Sequence, residues 1–161
     1  MKNERVAASK TVAPIDTWLG SLPSQPAALI GRTEELATAR GQIVVPEVRL
    51  LTLVGPGGVG KTRLAVAVAE SFHGSPAFAD GVRFVDLAPL PEPTLVPNAI
   101  ARALNAPTAE NGNALEAVIG WLSSRRVLLV LDNFEHLLGA AGDLATLIAA
   151  CPGLVALTTS R

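Results

Sequence analysis

From Leu29 onward the apolar positions change period several times along the chain, and each change predicts an element. Residues 49–54 form a short, β-rich apolar run that ends in a glycine cluster. In residues 61–72, Leu64, Val68 and Phe72 recur at helical spacing. Residues 81–87 read as a second strand, opened by an Asp80–Gly81 turn. Two helices are predicted next, over 95–104 and 114–122. Residues 127–131 are continuously aliphatic, the pattern of a strand buried on both faces. A helix over 134–150 is expected to stop at Pro152 and Gly153, followed by a last strand over 154–158. Upstream of the first strand, Thr33 is expected to cap a helix reaching about Val45, with Glu34 and Glu35 in its first turn, where the dipole favours acids.

Strands that alternate with helices imply an α/β fold with a mainly parallel sheet and right-handed crossovers. Residues 1–26 show no sustained period and contain Pro14, Pro23 and Pro26, which suits a linker ahead of a domain over 27–161. Within that linker, Trp18 and Leu19 read either as packing on the domain's flank or as docking a partner.

Composition narrows the classes. The chain has 161 residues, enough for one domain with a buried core. A hydrophobic share of 49% against 17% charged argues against a disordered or fibrous chain. A net charge of −1 gives no electrostatic footprint for nucleic acid, so no direct nucleic-acid binding by this segment is expected. The single cysteine, Cys151, allows neither an intrachain disulfide nor a cysteine metal cluster, and suits a reducing compartment. Residues 1–12 lack the apolar segment of a signal peptide, and no apolar run approaches the roughly 20 residues that span a bilayer. The expectation is a soluble, cytoplasmic protein without membrane contact. The sequence stops at Arg161, directly after a predicted strand, and reads as the front part of a longer protein whose fold lacks its C-terminal part here.

The glycine cluster carries the chemistry. Gly55-Pro56-Gly57-Gly58-Val59-Gly60-Lys61-Thr62 matches the P-loop pattern G-x-x-x-x-G-K-[ST], with an apolar strand before it and a helix after it. Glycines let successive backbone N–H groups turn inward toward phosphate oxygens, and the helix N-terminus near Gly60 adds its positive end. Lys61 is expected to reach the β- and γ-phosphates of ATP or ADP, and the Thr62 hydroxyl to ligate Mg²⁺. Arg63 follows directly and completes the expected nucleotide-binding segment. The other two lysines, Lys2 and Lys10, lie in the tail, so Lys61 is the sole lysine of the predicted domain. Its compact ammonium suits a phosphate site in a way that a planar guanidinium does not.

Residues 127–132 form a Walker B pattern, a buried strand ending in an acid, and Asp132 is expected to hold Mg²⁺ through a water. Many hydrolysing P-loop enzymes place a second acid directly afterwards; here Asn133 stands there and cannot take a proton. Glu135 is the nearest candidate to orient a water or act as base, and equally reads as a first-turn acid stabilised by the helix dipole. His136 reads as structural. The carboxyl ends of the strands converge on one edge, which is expected to gather Asp86, Asp132 and residues 158–161. Asp86 reads mainly as a solvated strand-end acid, and Arg161 could sense a γ-phosphate through charge-assisted hydrogen bonds.

These segments together resemble a known class. Residues 29–36 (LIGRTEEL), 49–65 (RLLTLVGPGGVGKTRLA), 81–90 (GVRFVDLAPL), 129–138 (LVLDNFEHLL), 151–154 (CPGL) and 159–161 (TSR) resemble the STAND signal-transduction ATPases. Within that class they are most similar to the NB-ARC-like ATPases of bacterial LuxR-type and SARP-type transcriptional regulators. The resemblance spans about residues 22–161 and implies a P-loop NTPase three-layer sandwich acting as a switch. ADP would hold a closed state, ATP would favour an open and often self-associated one, and hydrolysis would be slow and Mg²⁺-dependent. The resemblance places Ile30 and Arg32 along the adenine and ribose, and makes Arg161 the arginine that contacts the γ-phosphate. The family's small helical, winged-helix and effector domains are not in this sequence.

Two other functions compete. A P-loop kinase or turnover ATPase should carry a basic lid after the P-loop helix, yet residues 75–113 hold only Arg83 and Arg102. A non-hydrolysing interaction fragment has no need of an intact Lys61, Thr62 and Asp132.

Overall fold

The computed structural model describes residues 22–23, 31–107 and 113–161. Four strands, β1 (Leu50–Val54), β2 (Val82–Asp86), β3 (Val127–Asp132) and β4 (Leu154–Ser160), form one sheet in the order β1-β4-β3-β2. All three pairings are parallel. Among the described residues five α-helices accompany it: α1 (Thr33–Ile43), α2 (Lys61–Glu70), α3 (Val96–Leu104), α4 (Ala114–Leu122) and α5 (Ala141–Ala150).

Strand parity sorts the core into two layers. Leu128 and Val130 of β3 and Leu157 of β4 pack with Ile43 of α1 and with Leu64 and Val68 of α2. Their strand neighbours Val127, Leu129, Leu131, Leu154 and Ala156 turn to the opposite face and pack with α3, α4 and α5. The sheet is thus sandwiched between helical layers, as the alternating pattern predicts. β3 lies inside the sheet with both faces covered, which is why its five aliphatic residues are all 0% exposed. No described helix is long and apolar enough to cross a membrane.

Several boundaries differ from the sequence reading. The helix expected over 134–150 begins as two 3-10 turns, Phe134–His136 and Leu138–Ala140, and only then becomes α5. Asn133 enters this segment in the left-handed region (φ 62°), and Leu137 breaks the spiral at φ −117°, ψ 29°. Phe134, Leu137 and Ala140 are spaced by three, so a three-residue period buries them as well as an α-helix would. At α1, Arg32 takes the cap position without a side-chain cap bond, and Thr33 is already helical. That helix ends at Ile43, three residues before Pro46, whose ring disfavours helical geometry at Val45. α2 stops at Glu70; Phe72 lies in the following turn, buried edge-to-face against Phe78 at 5.2 Å. Finally, β4 runs on to Ser160, pairing Ser160 with Val54 and carrying the sheet to the edge where the P-loop begins. The expectations for Trp18, Leu19 and most of the linker lie outside the described residues; Leu22 packs partly buried beside α1 and α2.

Candidate phosphate and cation site

β1 ends at Val54, and the chain turns through Gly55–Gly60 into α2. The turn requires left-handed backbone at Gly58 (φ 79°) and Gly60 (φ 84°), conformations that residues with a Cβ rarely adopt. Gly60 is the cap residue of α2, so the helix N-terminus points its free N–H groups at the loop's concavity. Lys61, the first residue of α2, donates from Nζ to the carbonyls of Gly55 (2.6 Å) and Pro56 (2.8 Å), which holds its ammonium across the loop. Pro56 and Val59 lie in the loop between them, and Arg63 is exposed on the first turn of α2.

Beside the loop stands Asp132, only 3% exposed at the end of β3. It shares strand parity with Leu128 and Val130, so its carboxylate faces α2. Thr62 Oγ1 donates to both of its oxygens, at 2.9 and 2.8 Å. Thr159 Oγ1 donates to Oδ1 at 2.6 Å, and the Asn133 amide to Oδ2 at 3.1 Å. A buried carboxylate is tolerable only with such a set of donors. Thr62 and Asp132 thus offer hard oxygen donors side by side at the mouth of the P-loop. That donor set fits Mg²⁺, which binds proteins through one or two oxygens and shares its remaining positions with water and phosphate.

A second group lies at the same edge. Glu135 Oε1 accepts from Arg161 Nε at 3.1 Å. The Arg161 guanidinium leans over the loop: a Cβ built on Gly57 would stand 3.9 Å from its Cζ. The sequence reading treats Glu135 and Arg161 as separate candidates, whereas the structure joins them. Asp86, exposed at the end of β2, accepts from the Ala88 N–H at 2.9 Å and from Asn133 Nδ2 at 3.4 Å, a strand-end acid as expected. His136 Nε2 lies 3.2 Å from the Leu90 carbonyl, a structural role.

Arg32 sits apart from these groups. It pairs loosely with Glu35 (3.9 Å) and lines a cleft of about 590 Å³ between α1, β1 and the loop, together with Gln42, Leu53, Val59 and Lys61. Ile30, its expected companion, lies outside the described residues. Arg83 is buried at 3% in β2, where burial lowers its pKa, so it is not a lid residue.

Thr159 is the residue that sequence reasoning passed over. The sequence sets it at the ligand edge within 158–161 without a role, yet it binds Asp132 and also accepts the Asn133 N–H at 2.9 Å. Parity was the available signal: Thr159 is two residues beyond Leu157, and Asp132 two beyond Val130, on the same sheet face.

The AAA domain family model matches residues 47–156, spanning β1, the loop, β2, β3 and the first three residues of β4. This chain belongs to the AAA domain family. It is 45% identical over 114 residues to a Mycobacterium tuberculosis protein that carries the provisional name HTH-type transcriptional regulator. That match covers 70% of this chain and 12% of the relative's own length. Among solved structures, the AAA chain here is similar in fold to the Aeropyrum pernix ORC1 protein in complex with DNA (TM-score 0.64, 24% identity, 83% of this chain and 39% of that one). It is also similar to the Aeropyrum pernix ORC2 protein in its ADPNP–ADP complexes (TM-score 0.58, 20% identity, 84% and 43%).

Proposed function

We propose that this AAA domain binds ATP or ADP with Mg²⁺ and works as a nucleotide-dependent switch within a transcriptional regulator, hydrolysing ATP slowly. The observation that carries this reading is the meeting of Thr62 and Asp132 at 2.8–2.9 Å beside a left-handed glycine loop that opens a helix. In it, the loop N–H groups and Lys61 hold phosphates, and Thr62 and Asp132 hold the cation, which lowers the charge repulsion on the phosphates. Glu135 is our candidate to orient a water. The cleft bordered by Arg32 takes the base and ribose, and residues 1–26 serve as a linker ahead of the domain.

Its membership of a regulator is supported by the 45% identity to the Mycobacterium tuberculosis relative and by the resemblance to NB-ARC-like STAND ATPases, and that resemblance alone supports self-association through further domains. The nucleotide reading is further supported by the ADPNP–ADP complexes of the ORC2 protein, whose fold is similar. A kinase reading loses support because Arg83 is buried in the sheet, which leaves Arg102 as the one available basic side chain of the described part of 75–113.

The test is titration of ATP and of ADP, with and without Mg²⁺, into this chain and into Lys61→Ala. Charge-assisted hydrogen bonds are worth about 1.5–3 kcal/mol, so the substitution should weaken binding by about 10- to 150-fold. Equal affinity of the two proteins, or none in either, defeats the reading. Steady-state turnover well below about 1 s⁻¹ is expected of a switch, and a rate within the usual enzyme range would move the assignment to a turnover ATPase.

A further inference from the structure

The ion pair between Glu135 and Arg161 is arranged so that its two members have conflicting tasks. Arg161 is the cation at the open rim of the loop, 73% exposed, with its guanidinium against Gly57. Glu135 is only 23% exposed. One of its oxygens is bound by Arg161, and the other, Oε2, is buried without a partner. The other basic groups nearby are engaged elsewhere: Lys61 with the Gly55 and Pro56 carbonyls, and His136 with Leu90. Arg161 is therefore a counter-charge of a largely desolvated carboxylate.

We infer that Glu135 sets the discrimination of this site between nucleoside triphosphate and diphosphate, by competing with the terminal phosphate for Arg161. This rests on the nucleotide-binding reading above. A diphosphate is held by the loop amides and Lys61 and leaves the pair intact. A triphosphate brings a further anion to the rim, where Arg161 must leave Glu135 to reach it. The carboxylate is thereby released only when a triphosphate is present, and its buried Oε2 makes that release costly. Glu135 thus taxes triphosphate binding and leaves diphosphate binding unchanged.

The experiment measures affinities for ADP and for a non-hydrolysable ATP analogue, with Mg²⁺. The proteins are this chain, Glu135→Gln, Arg161→Ala and the double variant. Exposed ion pairs contribute up to about 1 kcal/mol, so Glu135→Gln should raise the triphosphate-to-diphosphate affinity ratio about two- to five-fold, by tightening the triphosphate alone. Arg161→Ala should lower the ratio, and on that background Glu135→Gln should change nothing further. Should Glu135→Gln fail to fold, Glu135→Asp, too short to keep the 3.1 Å contact in place, should move the ratio the same way. A ratio that stays fixed or falls in Glu135→Gln, or that rises equally on the Arg161→Ala background, overturns the inference while ADP binding upholds the nucleotide site. Failure of the parent chain to bind either nucleotide overturns both.

Discussion

Replacing Thr159 by valine tests whether the hydroxyl at the end of β4 supports Asp132 or merely fills space. Threonine and valine are nearly the same shape, so at a residue 1% exposed the substitution changes chemistry more than packing. Two bonds go. The first, 2.6 Å to the Asp132 carboxylate, has a charged acceptor and is worth about 1.5–3 kcal/mol. The second, 2.9 Å, satisfies the Asn133 N–H, and a buried donor left without a partner costs about 1–3 kcal/mol. The new methyl returns about 0.8 kcal/mol, and the two losses share one carboxylate and one turn, so they do not add fully. The expected net loss is about 2–4 kcal/mol. Urea denaturation followed by circular dichroism should show it as a midpoint about 1–2 M lower at an unchanged slope. Thr158→Val is the control. Its hydroxyl meets only the Thr52 hydroxyl at 2.8 Å, a neutral bond on the other face, worth about 0.5–1.5 kcal/mol. If Thr159→Val stays within about 0.5 kcal/mol of the parent, or costs no more than Thr158→Val, the support assigned to Thr159 is wrong.

Burial sets three further outcomes. Leu129→Ala, at a fully buried position of β3, should cost about 2–5 kcal/mol in thermal or chemical denaturation, whereas Leu138→Ala, 65% exposed, should stay within about 0.5 kcal/mol. The Cys151 thiol is pushed up by burial, against a smaller lowering by the Arg49 charge, so it should resist a thiol-specific chromogenic reagent in the native state and react on unfolding. Because the folded form favours the neutral thiol, its stabilising contribution is full below the ordinary thiol pKa. It is lost as pH rises through the folded value, so stability should fall on the alkaline side by more in the parent than in Cys151→Ala.

The sheet was legible because its strands are short, aliphatic and punctuated, and β3 in particular admits no other reading once its burial on both faces is assumed. The P-loop was legible because its chemistry needs glycines at fixed offsets. The segment 134–150 was misread for a physical reason: apolar spacings of three and four are shared by 3-10 and α geometry, and the left-handed entry at Asn133 leaves no mark on that pattern. The α1 cap was misread because Thr33 is a good capping residue by type, yet the chain already turns helical there. The Glu135–Arg161 pair was out of reach, since 26 residues and a whole helix separate its members and nothing in their spacing couples them.

The central position of β4 explains why these parts form one site. β4 lies between β1, which launches the P-loop, and β3, which delivers Asp132. Its last residues touch both neighbours. The Ser160 carbonyl accepts the Gly55 N–H at 3.3 Å, at the root of the loop, while Thr159 holds Asp132 at 2.6 Å. Arg161, next in the chain, reaches the pair with Glu135. Three successive residues of one strand end thus contact the phosphate loop, the cation-side carboxylate and the candidate water-orienting acid. A displacement of Arg161 toward a phosphate must be absorbed within one or two residues by backbone that is bonded to both flanking strands. Packed elements respond to such pulls by discrete shifts more than by continuous bending. Under the proposed nucleotide reading, the end of β4 is the place where the pull of a bound phosphate on Arg161 would be passed to both flanking strands.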